Sequence, residues 1–350
     1  MTSPSTPFPI ENIPFGVIST RENPTLRCAT ALHDDAIDLD ALEKDGFFDS
    51  IPGFEKGAIF SQCSEILGIP GSPNWHVIPS VYNGRTSSLN VDTTLTRPHG
   101  VIKDETGSVS FKPTKRLDFE LEMGVFISHP LERGQILDIQ AVRDHIFGFV
   151  ILNDWSARDI QGFEMAPLGP FHSKGFSTTI SPWIITMDAL ESVQSSVMVH
   201  QDPAPLPHLT WKGNQNEATF DIDLSARIIR NGNTYNVTST NLNELYWTPY
   251  QQATHLTSAG EGLSTGDIFG TGTISSARTD SNGEKTGLAC LVERSLPTTV
   301  LSALKENQVV FLEDGDELIM EGWCVNKKNG ARFGFGQCRG TVTPAVKLRH

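Results

Sequence analysis

The sequence lacks the features that mark nucleic-acid-binding, secreted and membrane proteins. Basic residues number 27 against 41 acidic ones, and the resulting formal charge of -14 would repel a phosphate backbone. The longest apolar run, near residues 146–152, is too short to span a bilayer, and the first residues contain neither a basic nor an apolar signal region. We therefore expect a soluble, cytoplasmic protein that binds neither nucleic acid nor membrane.

Cysteine is scarce, and its spacing excludes two common uses of the residue. The number of cysteines is odd, and no two of them have the Cys-x-x-Cys spacing of a zinc knuckle. An odd, widely spaced set does not indicate a disulfide framework either. We expect reduced thiols with structural roles at Cys28, Cys63, Cys290, Cys324 and Cys338.

Strand-like segments dominate the rest of the chain and are separated by turn residues. They lie at 17–20, 117–127, 147–153, 220–230, 267–274, 317–325 and 331–337. Helical spacing of apolar residues is restricted to three short segments, at 139–145, 156–163 and 243–257. The pattern predicts a mostly β protein of the α+β type, with a few helices packed outside its sheets.

One boundary is expected near Gln62. Residues 1–62 form a short module of strand-like pieces, whereas the motifs with charged residues are concentrated in residues 63–350. The proline-rich segment at 202–207 predicts an extended crossing loop rather than a linker between domains.

Acidic and apolar residues alternate in the segment 117–123. On a strand, Asp118, Glu120 and Glu122 would share one face, because side chains alternate between the two faces. Carboxylates on one face repel each other unless a cation or water screens them. An ordinary amphipathic edge strand gives the same pattern, so a further acidic partner is needed to favour a metal site.

Asp154 is available as that partner. The apolar segment 147–153 reads as a buried strand, and Asp154 follows it where the polar residues begin. The same aspartate is equally suited to be the N-cap of the helix predicted at 156–163. On that helix Arg158 and Gln161 are three residues apart and share a face, so they can together stabilise negative charge on an oxygen.

Two glycine-rich segments offer further candidates. Lys174 lies in an irregular stretch at 167–183, where it is either a solvated charge or a group that reaches into a pocket. The segment 270–275, Gly-Thr-Gly-Thr-Ile-Ser, is either a plain junction between strand and turn or a close approach of the backbone to a ligand. Neither segment matches a phosphate-binding or dinucleotide-binding motif.

In combination these motifs resemble the fumarylacetoacetate hydrolase family. The resemblance runs from 14–17 to 334–338, and its most specific parts are 153–161 and 167–171, with 246–248, 251–252 and 272–275 in support. It implies a short SH3-like N-terminal module followed by a mixed β-sandwich roll. It also implies a homodimer that hydrolyses carbon–carbon bonds of small β-diketo acids such as fumarylacetoacetate, in tyrosine and phenylalanine catabolism.

The resemblance also assigns roles to individual residues. A calcium or magnesium ion is implied at Glu120, Glu122 and Asp154, with Lys174 and Thr178 as further metal-site residues, and such ions prefer oxygen ligands. The implied oxyanion donors are Arg158, Gln161 and Lys174, and the implied substrate contacts are Tyr82, Arg158, Gln161 and Thr273. Glu293 matches the glutamate that orients the family's histidine, and it is itself a candidate base.

The sequence departs from the family in one segment. Before residues 73–75 the family has a stretch that supplies a fourth metal carboxylate, the histidine that deprotonates water and an arginine for the substrate. Residues 60–68 here contain neither the aspartate nor the histidine, and none of the ten histidines has a matching context. Three readings stay open: the family's hydrolase, a decarboxylase or tautomerase that uses the same cation but no activated water, and a catalytically silent relative.

Overall fold

A computed structural model describes residues 14–18, 27–33, 35–44, 86–104, 106–165, 169–283, 285–294 and 309–348. The boundary predicted near Gln62 and the candidate substrate residue Tyr82 lie outside these described residues. Strands outnumber helices within them, which confirms the prediction of a mostly β fold. No helix in this part of the chain is long and apolar enough to cross a bilayer.

The strands are short, and most of them pair with antiparallel neighbours. They are β1 (Phe15–Ile18), β2 (Arg27–Leu32), β3 (Asp35–Asp38), β4 (Leu89–Val91), β5 (Thr93–Thr96), β6 (His99–Lys103), β7 (Val109–Pro113), β8 (Leu117–Asp118), β9 (Leu121–Ile127), β10 (Ile146–Asp154), β11 (Ser156–Ala157), β12 (Thr178–Ile180), β13 (Trp183–Thr186), β14 (Gln194–Ser195), β15 (Thr219–Phe220), β16 (Asp223–Arg230), β17 (Asn233–Asn241), β18 (Ile268–Gly270), β19 (Glu317–Val325) and β20 (Arg332–Thr343).

Two larger sheets account for most of these strands. The first has the order β18-β9-β10-β13-β1-β2-β3, and β12 pairs with both β10 and β4 beside this path. The second has the order β17-β16-β19-β20-β5, in which β5 runs parallel to β20. The N-terminal strands β1 to β3 thus continue the first sheet through the pairing of β1 with β13.

The helices are few and short, as the sequence predicted. They are α1 (Leu39–Lys44), α2 (Arg158–Glu164), α3 (Met187–Leu190), α4 (Pro249–Leu256) and α5 (Leu291–Arg294). Helix α4 begins sharply because Pro249 stands in its first turn and Thr248 forms a capping box with Gln251.

The apolar core lies where the two larger sheets face each other. It takes side chains from β9, β10, β16, β19 and β20. The sheets approach closely at Gly322 of β19, where a Cβ atom would lie 3.0 Å from Phe335 and 3.5 Å from Ile151 of β10. At the end of β10, the ring of Trp155 lies against Gly340, and its Nε1 donates a hydrogen bond to Thr179 Oγ1 at 2.8 Å. These contacts fix the position of the residues that leave β10.

Several predicted elements were wrong in extent. The strand predicted at 117–127 is divided by residues 119–120 into β8 and β9. The helix predicted at 139–145 is a 3-10 turn over Val142–His145 only. The helix predicted at 243–257 begins only at Pro249, because a separate 3-10 turn occupies Leu242–Glu244 and the cap at Thr248 starts a new helix. The strand predicted at 220–230 is interrupted between β15 and β16.

The strand predicted at 267–274 ends at Gly270. The regular strand pairing is interrupted there because Gly272 adopts a positive φ of 73°, a conformation that glycine adopts without steric cost. The backbone amide of Ile274 then bonds to the oxygen of Leu121 on β9 at 2.9 Å. Strand β17 was not predicted, because its sequence NTYNVTSTN is too polar to give an alternating apolar signal.

Candidate metal centre and adjoining cavity

The alternation at 117–123 places acidic side chains on one side of β8 and β9 and apolar ones in the core. Phe119 and Leu121 belong to the core cluster. Asp118, Glu120 and Glu122 are themselves buried, each no more than 3% exposed. Three carboxylates are rarely buried without partners, so the question is what neutralises each of them.

Glu122 lies in a cradle made by two glycines. A Cβ atom at position 270 would be 2.6 Å from Glu122 Oε2, so only glycine leaves room for the carboxylate there. The amide of Gly272 donates a hydrogen bond to the same oxygen at 2.9 Å. The glycine-rich segment therefore approaches a protein carboxylate, while Glu122 Oε1 is buried without a hydrogen-bond partner.

Asp154 is the last residue of β10, where it pairs with Thr178 of β12. Its Oδ2 accepts a hydrogen bond from Lys174 Nζ at 2.7 Å, whereas its Oδ1 is buried and unpartnered. The N-cap of α2 is Ala157, which makes no side-chain cap. Of the two roles open to Asp154, the cap is excluded. Thr178 Oγ1 is also buried and lacks a hydrogen-bond partner.

Glu120, Glu122 and Asp154 form one acidic cluster, in which one carboxylate oxygen from each lies within 4.8 Å of the others. Lys174 bonds to both Glu120 and Asp154 and is 2% exposed. Its burial opposes the charged form, but the charges of Asp154 and Glu120 outweigh this and raise the pKa of Lys174. An ammonium has no lone pair for a metal, so Lys174 is a charge partner of the candidate ligands and not itself a ligand.

Burial and mutual repulsion act on the carboxyl groups of this cluster. Burial, with the charges of Asp154 and Glu120, raises the pKa of Glu122 well above its ordinary value. Burial and Glu120 likewise raise the pKa of Asp154 to about 7. Burial also opposes ionisation of Glu120, but Lys174 and Arg158 outweigh it and lower its pKa.

The residues of the cluster fit a divalent cation. Four buried carboxylates, with Asp118 included, face the two buried cations of Arg158 and Lys174, so the described cluster carries an excess of two negative charges when ionised. Oxygen atoms without partners remain on Glu122 and Asp154, and magnesium and calcium take carboxylate oxygens as ligands.

Arg158, the first residue of α2, is held by three acceptors. Its Nε donates to Asp118 Oδ2 at 2.8 Å, and its Nη1 donates to Glu120 Oε1 at 2.8 Å and to Gln161 Oε1 at 3.0 Å. Its Nη2 is buried without a hydrogen-bond partner. The predicted pairing of Arg158 with Gln161 on one helical face is therefore present, and one arm of the guanidinium remains to bind an anionic oxygen.

Asp118 was named in the acidic alternation, but the sequence assigned it no role in the site. Its Oδ1 accepts from the backbone amide of Leu291 at 2.7 Å, and its Oδ2 accepts from that of Val292 at 2.9 Å. Asp118 thus ties Arg158 to α5, which carries Glu293. Its alternation with Glu120 indicated that it shares the face of the cluster. The sequence did not reveal its contact with residues more than 170 positions away.

A cavity of about 860 Å3 opens beside the cluster. Glu120, Arg158, Thr273 and Glu293 line one part of it, and Leu245, Tyr246 and Trp247 are among the residues that line the remainder. None of the histidines in the described part of the chain lines this cavity. Its shape suits a small molecule with a polar end and a mostly apolar body.

Glu293 is fixed at the cavity by two donors. Its Oε2 accepts from Ser275 Oγ at 2.6 Å and from Cys290 Sγ at 3.2 Å. Burial, with the charges of Asp118 and Glu293, raises the pKa of the Cys290 thiol well above its ordinary value, so the sulfur stays protonated. Cys290, Cys324 and Cys338 are free and buried, which agrees with the expected structural thiols.

The fold and the acidic cluster define a β-rich protein with a buried group of carboxylates that could hold a metal ion. Two family descriptions match the chain: Fumarylacetoacetase N-terminal over residues 11–64 and Fumarylacetoacetate (FAA) hydrolase C-terminal over residues 63–343. The chain belongs to the fumarylacetoacetate hydrolase family, whose hydrolases act on carbon–carbon bonds.

Curated relatives agree with this assignment, and a solved structure has the same fold. The chain is 43% identical to a fumarylacetoacetase of Dictyostelium discoideum over 281 residues, 79% of this chain and 64% of that protein. It is 34% identical to the fumarylacetoacetase of Arabidopsis thaliana, over 97% of this chain and 96% of that one. A fumarylacetoacetate hydrolase from Exiguobacterium antarcticum has the same fold, with a TM-score of 0.55 and 16% identity over 95% of this chain and 99% of that one.

The alignments also agree with a shortened segment in this chain. The match to the Arabidopsis protein runs over 416 positions, whereas the chain has 350 residues, so at least 66 positions of the alignment face a gap. The Dictyostelium match runs over 281 positions and covers 79% of the chain, which leaves little room for gaps. The missing positions therefore lie mostly outside the well-matched block.

Proposed function

We propose that the chain is a divalent-cation-dependent hydrolase of β-diketo acids that splits fumarylacetoacetate into fumarate and acetoacetate, in tyrosine and phenylalanine catabolism. One observation carries this proposal: Glu122 Oε1, Asp154 Oδ1 and Arg158 Nη2 are all buried and unpartnered. Two acceptors for a cation and one donor for an anionic oxygen thus belong to one cluster, beside a cavity large enough for the substrate.

Magnesium or calcium is the proposed ion, held by Glu120, Glu122 and Asp154, with Thr178 Oγ1 as a further contact. When bound, such a cation polarises a carbonyl oxygen as a Lewis acid. The proposal is supported by the all-oxygen ligand set and by the position of Thr178 directly opposite Asp154 on the neighbouring strand. Lys174 balances the charge of the carboxylates, and it also offers a donor to the substrate.

The remaining residues supply proton transfer and charge stabilisation. Glu293 accepts a proton from water as the water oxygen adds to the ketone carbonyl. The carbon–carbon bond then breaks, and its electron pair leaves as an enolate, which is reprotonated to acetoacetate. Arg158, Gln161 and Lys174 stabilise the negative oxygen, and Thr273 contacts the substrate from the cavity wall. Tyr82, the other proposed substrate contact, is outside the described residues.

The test compares two reactions on one preparation. Fumarylacetoacetate hydrolysis and oxaloacetate decarboxylation are measured after chelation and again with magnesium or calcium restored. The proposal expects cation-dependent hydrolysis that is lost in Glu122→Gln. Absence of hydrolysis with either ion would reject it.

A second candidate is a decarboxylase or tautomerase of β-keto acids on the same site. It is favoured by the cavity lining, which contains no histidine from the described residues, because enolate stabilisation needs no base to activate water. Faster turnover of oxaloacetate than of fumarylacetoacetate would select this candidate. If neither substrate is turned over, the result would favour a relative that binds ligand without catalysis.

We also propose that the protein is a cytoplasmic homodimer with an N-terminal module at residues 1–62 and a catalytic domain at 63–350. The family resemblance supports the dimer, and the three buried free thiols support a reducing compartment. The two family matches meet at residues 63–64, which supports the boundary. Light scattering of the purified chain tests the dimer, and a monomer would reject it.

A further inference from the structure

One buried acceptor in the cavity has no role in the reaction described above. Gln252, on α4, lines the cavity and is 6% exposed. Its Nε2 donates a hydrogen bond to the backbone oxygen of Thr271 at 2.6 Å, whereas its Oε1 has no hydrogen-bond partner. Since a carbonyl oxygen can only accept, the amide nitrogen must face Thr271, and the oxygen is the end without a partner.

The neighbouring residue is an internal comparison. Gln251 is on the same helix and equally buried, yet both ends of its amide are bonded. Its Oε1 accepts from Thr248 N at 2.9 Å and from Gln201 Nε2 at 2.9 Å, and its Nε2 donates to Gln201 Oε1 and to the oxygen of Leu209, each at 3.0 Å. Gln251 also lines a cavity, a second one of about 540 Å3, yet protein groups satisfy both ends of its amide. Gln252 differs in that its oxygen is buried without a partner.

Two hydrogen bonds connect Gln252 to the acidic cluster. Its Nε2 donates to the backbone oxygen of Thr271, and the backbone amide of the next residue, Gly272, donates to Glu122 Oε2. Arg158 Nη2, an unpartnered donor, belongs to the other side of the same cluster. A ligand in the cavity thus meets a donor suited to an anionic or carbonyl oxygen, and an acceptor that needs a hydrogen-bond donor.

We propose that Gln252 is a specificity residue whose Oε1 accepts a hydrogen bond from a hydroxyl group of the ligand, such as the enol hydroxyl at the carbonyl that water does not attack. The cavity then disfavours ligands without that hydroxyl. The inference rests on the proposed function for its substrate class. A buried acceptor left unpaired by the wrong ligand disfavours binding, and sites that bond a hydroxyl discriminate strongly against analogues without it.

Binding of an inert ligand pair tests this without turnover. Dissociation constants for 3-hydroxyglutarate and glutarate, which differ by one hydroxyl, are measured by tryptophan fluorescence in the presence of magnesium. Wild-type protein is expected to prefer 3-hydroxyglutarate by roughly tenfold or more. Gln252→Met, which removes the acceptor at similar volume, is expected to bind both ligands about equally.

Tyr246→Phe is the matched control. Tyr246 lines the same cavity, but its hydroxyl bonds to the backbone oxygen of Asp202, so this variant should keep the preference. The inference is overturned if wild type binds both ligands equally, binds neither, or keeps its preference in Gln252→Met. Wild-type preference for the hydroxyl ligand without fumarylacetoacetate cleavage would support the inference and reject the proposed function.

Discussion

The metal-free protein is expected to lose stability as the pH rises, because its acidic cluster must then ionise beyond the charge that Lys174 and Arg158 balance. Burial and Glu120 raise the pKa of Asp154 from 3.8 to about 7 in the folded chain. A carboxyl group whose folded pKa is raised contributes stability that is fully present below its unfolded pKa and is lost as the pH rises through the folded pKa. The loss therefore falls between about pH 4 and about pH 7.

The size of this effect follows from the shift. About three pKa units at 1.36 kcal/mol each give a loss of roughly 4 kcal/mol. This is a large part of the 5 to 15 kcal/mol that typically separates folded from unfolded protein. A divalent cation binds the ionised carboxylates and displaces the protons, so it should restore the stability, and more so at about pH 8 than at about pH 5.

Chemical denaturation at several pH values, with a chelator or with magnesium, measures both effects. Asp154→Asn is the matched variant, because it keeps the shape of the side chain but cannot ionise. Its unfolding free energy should depend less on pH in chelator and respond little to magnesium. The proposed link between cation binding and ionisation of the cluster would fail if the wild-type free energy of unfolding were the same with and without the cation at every pH.

Three substitutions test other parts of the site. Asp118→Asn should lower the free energy of unfolding by about 3 to 5 kcal/mol, because it removes one carboxylate from the buried Arg158. Chemical denaturation measures this, and a change below about 1 kcal/mol would contradict the role of Asp118 in tying Arg158 to α5. Arg158→Lys keeps the charge but loses the planar fork, so turnover should fall by about 10²- to 10³-fold in steady-state kinetics; unchanged turnover would remove it from the mechanism. In Glu293→Gln the new side chain can still accept the hydrogen bond from Ser275, so the midpoint of thermal unfolding should stay the same while turnover falls by about 10²- to 10⁴-fold. Turnover equal to that of the wild type would exclude Glu293 as the base.

The parts of the site that depend on strand periodicity could be predicted from the sequence. Alternation along 117–123 predicts that Glu120 and Glu122 share a face. The end of the apolar run at 147–153 predicts that Asp154 lies at the end of a buried strand. The core positions of Phe119 and Leu121 follow from the same period of two. These inferences use neighbours within one or two strands, where backbone geometry alone decides the direction of a side chain.

The parts that depend on distant contacts could not be predicted in this way. The cradle of Glu122 at Gly270 and the bonds of Asp118 to the start of α5 join residues about 150 or more positions apart. The N-cap role of Asp154 was excluded by the short strand β11, which delays the helix to Arg158. The orientation of the Gln252 amide depends on a backbone oxygen of Thr271 that no local pattern reveals.

The central claim is that Glu122 and Asp154, together with Glu120, hold a divalent cation. Equilibrium dialysis of the chelator-treated chain against magnesium and against calcium tests it most directly, with Glu122→Gln and Asp154→Asn dialysed alongside. We expect one tightly bound ion per wild-type chain and at least tenfold weaker binding in each variant, because each variant loses an ionised ligand from a buried site. Wild-type protein that binds no ion, or variants that bind as well as wild type, would contradict it.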